Sequence, residues 1–438
     1  MVDRRHLRLT TPVGLARQTP PVKSRASTSI AEGRELIALL AMATALTALG
    51  IDLMLPAFDE MRVDFDLGAG STAVTGLVTA YFVGLGLGTV FYGPLADHKG
   101  RRWTMRLGLT IYVAGALLAA VAPSLPMVLF ARVLWGMGAA GPRVVALAIV
   151  RDRFEGDAMS RTMSSLMAVF LIVPVLAPSL GAVLLRVAPW RWLFVLCAAS
   201  ALLVALWTRR LPETLAPAHR IPDLRFHRVK TAARLVVSSR TAVAYAAATV
   251  ALYGVFASYL GSSEAIVGQT LGREHQFPLI FGALAGAMGL AAVLNGRIVS
   301  RFGTASMVRG ALSVYVAMTV VLLGVSIATD GRPGIWVFLA IMGVLFASHA
   351  QLLPNLNTLA MAPMASVAGT ASSVIGAAQL TLGAVLGGIL DRFFDGTILP
   401  LSIGFAIAAT CTVAAVTVAR RVPDEPVGLV VAGAGPVT

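Results

Sequence analysis

Twelve blocks of this chain are apolar almost throughout, and the polar residues gather in the intervals between them. The blocks lie near 36–57, 71–92, 104–122, 126–149, 159–185, 190–208, 241–262, 277–297, 305–328, 334–353, 366–390 and 397–419. Each is close to the roughly 20 residues a helix needs to cross a hydrocarbon core about 30 Å thick. The pattern predicts an all-α integral membrane protein with twelve transmembrane helices. The intervals divide it into a basic tail (1–35), six helices (36–208), a basic linker (209–240), six more helices (241–419) and a second tail (420–438).

Charge supplies the orientation. With the N-terminal tail placed in the cytoplasm, 27 of the 35 Lys and Arg residues fall on that side. Six fall opposite: Arg62, Arg186, Arg191, Arg273, Arg332 and Arg392. Lys/Arg bias sets the direction of insertion, so the even helix count and two cytoplasmic termini follow together. Arg132 and Arg143 belong to neither group, because both lie within the fourth predicted helix.

The two halves echo each other. Gly93-Pro94-Leu95-Ala96-Asp97-His98-Lys99-Gly100 follows the second helix, and Gly296-Arg297-Ile298-Val299-Ser300-Arg301-Phe302-Gly303 follows the eighth. Glycines match at both ends, while Ser300 stands where the first copy has an acid. Parallel six-helix repeats of this kind build transporters that rock around a site at the bilayer midplane.

Composition narrows the function. The chain of 438 residues is 57% hydrophobic, with 21 acids against the 35 basic residues, a net charge of +14. Those basic residues punctuate apolar runs and form no continuous face, which argues against a nucleic-acid partner. The first 35 residues lack the apolar stretch and cleavage site of a signal peptide. Cys197 and Cys411 both sit in apolar runs and read as core residues, not as a disulfide or a metal site. Neither a GxxxxGK[ST] loop nor metal-ligand spacing nor a Ser-His-Asp arrangement is present, so the expectation is a non-enzyme that uses no ATP, metal or bound cofactor. Arg strongly outnumbers Lys and Ala, Gly and Val abound, a bias that suggests a GC-rich bacterial genome.

Several residues carry candidate chemistry. Asp52 is the acid that lies well inside a predicted span; burying a carboxylate is costly unless it takes up a proton or faces a wet cavity, so Asp52 is a candidate proton carrier. It lies about 8 Å from the outer end of its helix, and Arg132 about 9 Å from the outer end of helix 4. At similar depth the two are expected to communicate directly or through water. Arg143, about three turns further along, either lines the inner cavity and favours anionic or neutral substrates, or snorkels to the cytoplasmic surface. Tyr81 with Phe82 on helix 2, Trp135 on helix 4, and Tyr253, Phe256 and Tyr259 on helix 7 are candidate walls for flat apolar compounds, or packing. His349, Gln351, Asn355, Asn357 and Gln379 are candidate hydrogen-bonding groups near the cytoplasmic mouth, or interhelical glue. Pro174, Pro178 and Gly181 in helix 5 would kink it and let a neighbour approach closely. In the loop after helix 2, Asp97 sits before the N-terminus of helix 3, where Arg101 and Arg102 can pair with it.

The segment from Gly93 through Gly100, Arg101 and Arg102 resembles the loop between helices 2 and 3 of the major facilitator superfamily. Within it, Gly50-Ile51-Asp52-Leu53-Met54-Leu55-Pro56-Ala57, Arg132 with Arg151-Asp152, Ala177-Pro178-Ser179-Leu180-Gly181 and Pro354-Asn355 with 368–373 resemble the bicyclomycin/chloramphenicol-resistance type of drug:proton antiporters. The likeness spans about 36–420. It departs from the family at Trp135, where Gln is common, and at Arg143, where an apolar residue is usual. The resemblance implies a monomeric major facilitator fold in the bacterial inner membrane. Small apolar or amphipathic drugs would be exported against protons by alternating access around helices 1, 4, 7 and 10, with lipids as the other partners. A proton-coupled importer or a dedicated metabolite exporter is the alternative on the same fold.

Overall fold

The computed structural model describes residues 30–68, 70–221 and 226–421. Twelve helical spans are long and apolar enough to cross a membrane: α1 (Gly33–Asp64), α2 (Ala73–Lys99), α3 (Arg101–Val121), α4 (Leu125–Arg153), α5 (Gly156–Leu185), α6 (Arg191–Arg210), α7 (Arg240–Thr270), α8 (Glu274–Phe302), α9 (Thr304–Ala328), α10 (Ile335–Met364), α11 (Ala368–Asp391) and α12 (Leu399–Arg421). The described residues contain no strand. In lipid every backbone N–H and C=O must be satisfied within the segment, and helices this apolar do so.

Several spans outrun the apolar blocks. α2 continues through Pro94 to Lys99, and the regular helix of α10 through Pro354 to Met361. The apolar blocks end just before these prolines, yet the helices run on, because in a bundle neighbouring helices tolerate the lost hydrogen bond. α5 likewise is one continuous helix through Pro174 and Pro178. α1 behaves differently: its regular helix ends at Asp52, and a 3-10 turn at Leu55–Ala57 leads into a short helix, Phe58–Asp64.

The packing repeats the two-half organisation. α2 and α3 pack on α4, as α8 and α9 pack on α10; α1 packs on α5, as α7 packs on α11. Between the halves α2 meets α11 and α5 meets α8, a pair that exchanges under the same pseudo-two-fold. The α2–α4 crossing is backbone against backbone: a Cβ at Gly136 would stand 2.0 Å from the Tyr81 carbonyl oxygen. Small residues permit such approach in membrane bundles. Gly100 (φ 98°) and Gly303 (φ 77°) close the two echoed loops in the left-handed region, so the sequence echo is a conformational one.

The linker is more than a solvated basic stretch. Leu211 and Leu215 are buried. A helix at Phe226–Ser238 packs against α11 and α7 with Ala232 and Val236 inward and Arg234 exposed.

Candidate functional site

A cavity of about 850 Å³ lies between the halves, walled by α1, α2, α4 and α5 on one side and α7, α8, α10 and α11 on the other. Its wall reaches Arg151, Met361 and Ala368, at the ends of α4, α10 and α11 nearest the linker. The linker face is therefore its mouth.

Asp52 lines the inner part of this cavity and is 4% exposed. It makes no hydrogen bond or ion pair with another described residue. Asp52 and Arg132 make no direct contact. Arg132 donates through one terminal nitrogen to the Gly50 carbonyl (2.7 Å) and through Nε to the Leu77 carbonyl (3.1 Å), and its guanidinium lies over the rings of Tyr81 and Trp135. The break in α1 explains this choice. The final carbonyls of a helix lack intrahelical donors, and Arg132 serves one of them two residues before Asp52.

Tyr81 and Trp135 do not line the cavity, a correction to their reading as substrate contacts. Tyr81 donates to the Thr47 carbonyl (3.1 Å), and Trp135 packs edge-on against Tyr81, Tyr112 and Phe194. Successive helical residues point about 100° apart, so with Tyr81 turned behind α1 its neighbour Phe82 faces the cavity. Phe82 meets Tyr253 edge-on at 5.3 Å, and Tyr253, Phe256 and Tyr259 all lie on the wall.

Arg143 is on the wall as well, near the mouth, with its guanidinium 5.8 Å from the Phe170 ring. Gln379 and Asn357 line the cavity together, the Asn357 amide donating to Gln379 (3.1 Å). Asn355 instead ties α10 to α8 through Asn295 (2.9 Å). His349 is fully buried behind the wall, stacked on Phe256, with neither ring nitrogen partnered. Pro174 borders the cavity, while Gly181 faces α1, where a Cβ would stand 2.2 Å from the Leu53 carbonyl oxygen. Gly181 thus admits the broken segment of α1, and buried Pro178 sits in the turn before it.

The end opposite the mouth is sealed by residues to which sequence reasoning gave no part in the site. Arg62 at the end of α1 donates through both terminal nitrogens to Glu264 on α7 (3.1 Å each), and also contacts Asp59 and the Ser71 carbonyl. Asp391, ending α11, accepts from Ser258 Oγ on α7 (2.6 Å). Both acids fell just past the predicted ends of their helices, at 262 and 390. The available signal was a lone acid at the edge of each apolar run.

The loop after α2 forms a knot. Arg101 binds Asp97 (2.5 Å) and Asp152 at the end of α4 (2.9 Å), while the Glu213 carboxylate takes the backbone N–H groups of Arg101 and Arg102. Arg102 reaches the Arg209 carbonyl (3.1 Å). Gly93 lies within α2, its missing Cβ facing open space.

Comparison with known proteins agrees with this geometry. Residues 40–388 match the sequence profile of the Major Facilitator Superfamily. An MFS-type transporter of Bacillus subtilis, YdgK, is 31% identical over 81% of this chain and 88% of its own length. A bicyclomycin resistance protein homolog of Haemophilus influenzae is 26% identical over 83% of this chain and 91% of its own. The multidrug resistance protein MdtL of Salmonella heidelberg is 30% identical over 51% of this chain and 55% of its own. Among solved structures, the xylose transporter XylE of E. coli in a partially occluded inward open conformation covers 90% of this chain and 98% of its own, with TM-score 0.69 and 13% identity.

Proposed function

We propose, for a chain that belongs to the Major Facilitator Superfamily, the export of small apolar or amphipathic toxic compounds from the bacterial cytoplasm in exchange for protons. The observation that carries the reading is Asp52: a carboxylate without a partner among the described residues, on the wall of a cavity built from both halves and sealed at one end. The names of the bicyclomycin- and multidrug-resistance relatives support the substrate class. The bias of Lys and Arg supports placing the mouth and both termini on the cytoplasmic side of the inner membrane. The cavity is complete within one chain, which supports a monomer.

The chemistry follows from the cost of a buried charge. With the far seal open, Asp52 takes a proton from outside and becomes neutral. With the mouth open, as here, water reaches it and the proton leaves to the cytoplasm. An ionised Asp52 resists enclosure in an occluded, dry cavity, so the return step waits for a substrate to fill the space and satisfy the carboxylate. The proton gradient thereby drives export with no bound cofactor.

Inverted membrane vesicles test this. Adding a substrate drug should trigger proton release in wild type, and Asp52→Asn at matched expression should abolish the signal. A signal unchanged in Asp52→Asn would remove the carrier role, and no signal with any compound would favour a metabolite carrier on the same fold.

A further inference from the structure

The wall of the cavity holds three charged side chains, Asp52, Arg143 and Arg151. Neither arginine has an acid partner among the described residues: Asp97 and Asp152 are engaged by Arg101, and Asp59 and Glu264 by Arg62. Arg143 rests on Phe170 alone, half-buried, on a cavity wall that is otherwise largely apolar. A guanidinium held there without a counterion presents its donors to whatever enters.

The three charges occupy different depths. Thr47 Oγ1 donates to the Ala139 carbonyl (3.4 Å), which fixes the register of α1 against α4. Asp52 lies five residues beyond Thr47 toward the seal, and Arg143 four residues beyond Ala139 toward the mouth. Nine residues of helix separate the two levels by about 13 Å. On the facing wall lie Tyr253 and Phe256, 5.9 Å apart, with Phe82 edge-on to Tyr253. The cavity therefore runs from a basic mouth, past an aromatic middle, to an acidic end. A compound entering from the mouth passes both arginines first, and like charges there repel a cation.

We propose that Arg143 is a specificity-determining residue that anchors the anionic head of an amphipathic substrate, a carboxylate or sulfonate, whose aromatic body lies against Tyr253 and Phe256. The pump then takes organic anions in preference to lipophilic cations. The backbone levels of Arg143 and Asp52 lie about 13 Å apart, so the anionic head does not contend with the proton carrier, and the inner end of the bound compound is the part that meets the Asp52 carboxylate. The inference rests on reading the cavity as an export site.

Binding to the full-length protein in a neutral, lipid-free detergent tests it, with three probes that share a naphthalene body and carry a sulfonate, a carboxamide or a trimethylammonium group. Wild type should bind the sulfonate about tenfold or more tightly than the trimethylammonium, the size of one charged hydrogen bond. Arg143→Gln should lose about tenfold for the sulfonate and several-fold less for the carboxamide, and Arg143→Lys should restore part of the preference. Wild type binding the trimethylammonium as tightly as the sulfonate would overturn the proposal without any variant. So would an unchanged sulfonate affinity in Arg143→Gln. No proton gradient is applied, so this assay and the vesicle proton signal fail independently.

Discussion

Arg132 shows how a charge inside an apolar run acts through backbone. Its planar fork serves two carbonyls on two helices, Gly50 of α1 and Leu77 of α2, and so fixes the helix end that carries Asp52. A lysine offers a point charge that cannot span both. Arg132→Lys should therefore keep the fold but lower its melting midpoint, and cut transport by about tenfold or more. Transport equal to wild type in reconstituted vesicles would show that the two contacts do not position Asp52. Asp52 and Arg132 were legible because a charge stands out in a block of apolar residues. Their separation was not legible, since depth along two helices says nothing of where a long side chain finds its acceptors. Tyr81 and Phe82 make the same point: adjacent in sequence, they point about 100° apart, and only the packing of α1 decides which meets the cavity.

At the scale of elements, hydropathy located all twelve helices, and the glycine echo located two of the positive-φ turns, Gly100 and Gly303. It placed the ends less well, because the apolar blocks stop before Pro94 and Pro354 and before the polar last turns of α7 and α11, where the helices continue. The seal lies in those last turns. Glu264→Gln removes the countercharge of a buried arginine, which is left with Asp59 alone; water then stabilises it better than the closed seam does. A cysteine placed at buried Ser263 should accordingly react about tenfold or more faster with an impermeant maleimide from the far face in the Glu264→Gln background. Equal rates would mean that the seam is held by its apolar packing. The echoed loops differ in their surroundings: a Cβ at Gly100 meets the Glu213 carboxylate at 2.4 Å, while at Gly303 it meets open space. Both substitutions to alanine carry the penalty of a positive-φ, extended-ψ backbone that is essentially reserved for glycine, about 1–3 kcal/mol. Gly100→Ala should nevertheless depress thermal stability more than Gly303→Ala, and the reverse order would show that Glu213 yields freely.

For the whole molecule, the seal joins halves that are made at different times. The partner of Arg62 lies 202 residues later in the chain. At a synthesis rate of about 5–20 residues per second, the first half waits about 10–40 seconds for Glu264 to emerge. Asp59, one turn before Arg62 on the same short helix, offers it a provisional counterion during that interval. Biogenesis thus leaves a charged, hydrated tip on the first six helices until the seventh is inserted, and a ribosome stalled between them would release a half-protein unable to close.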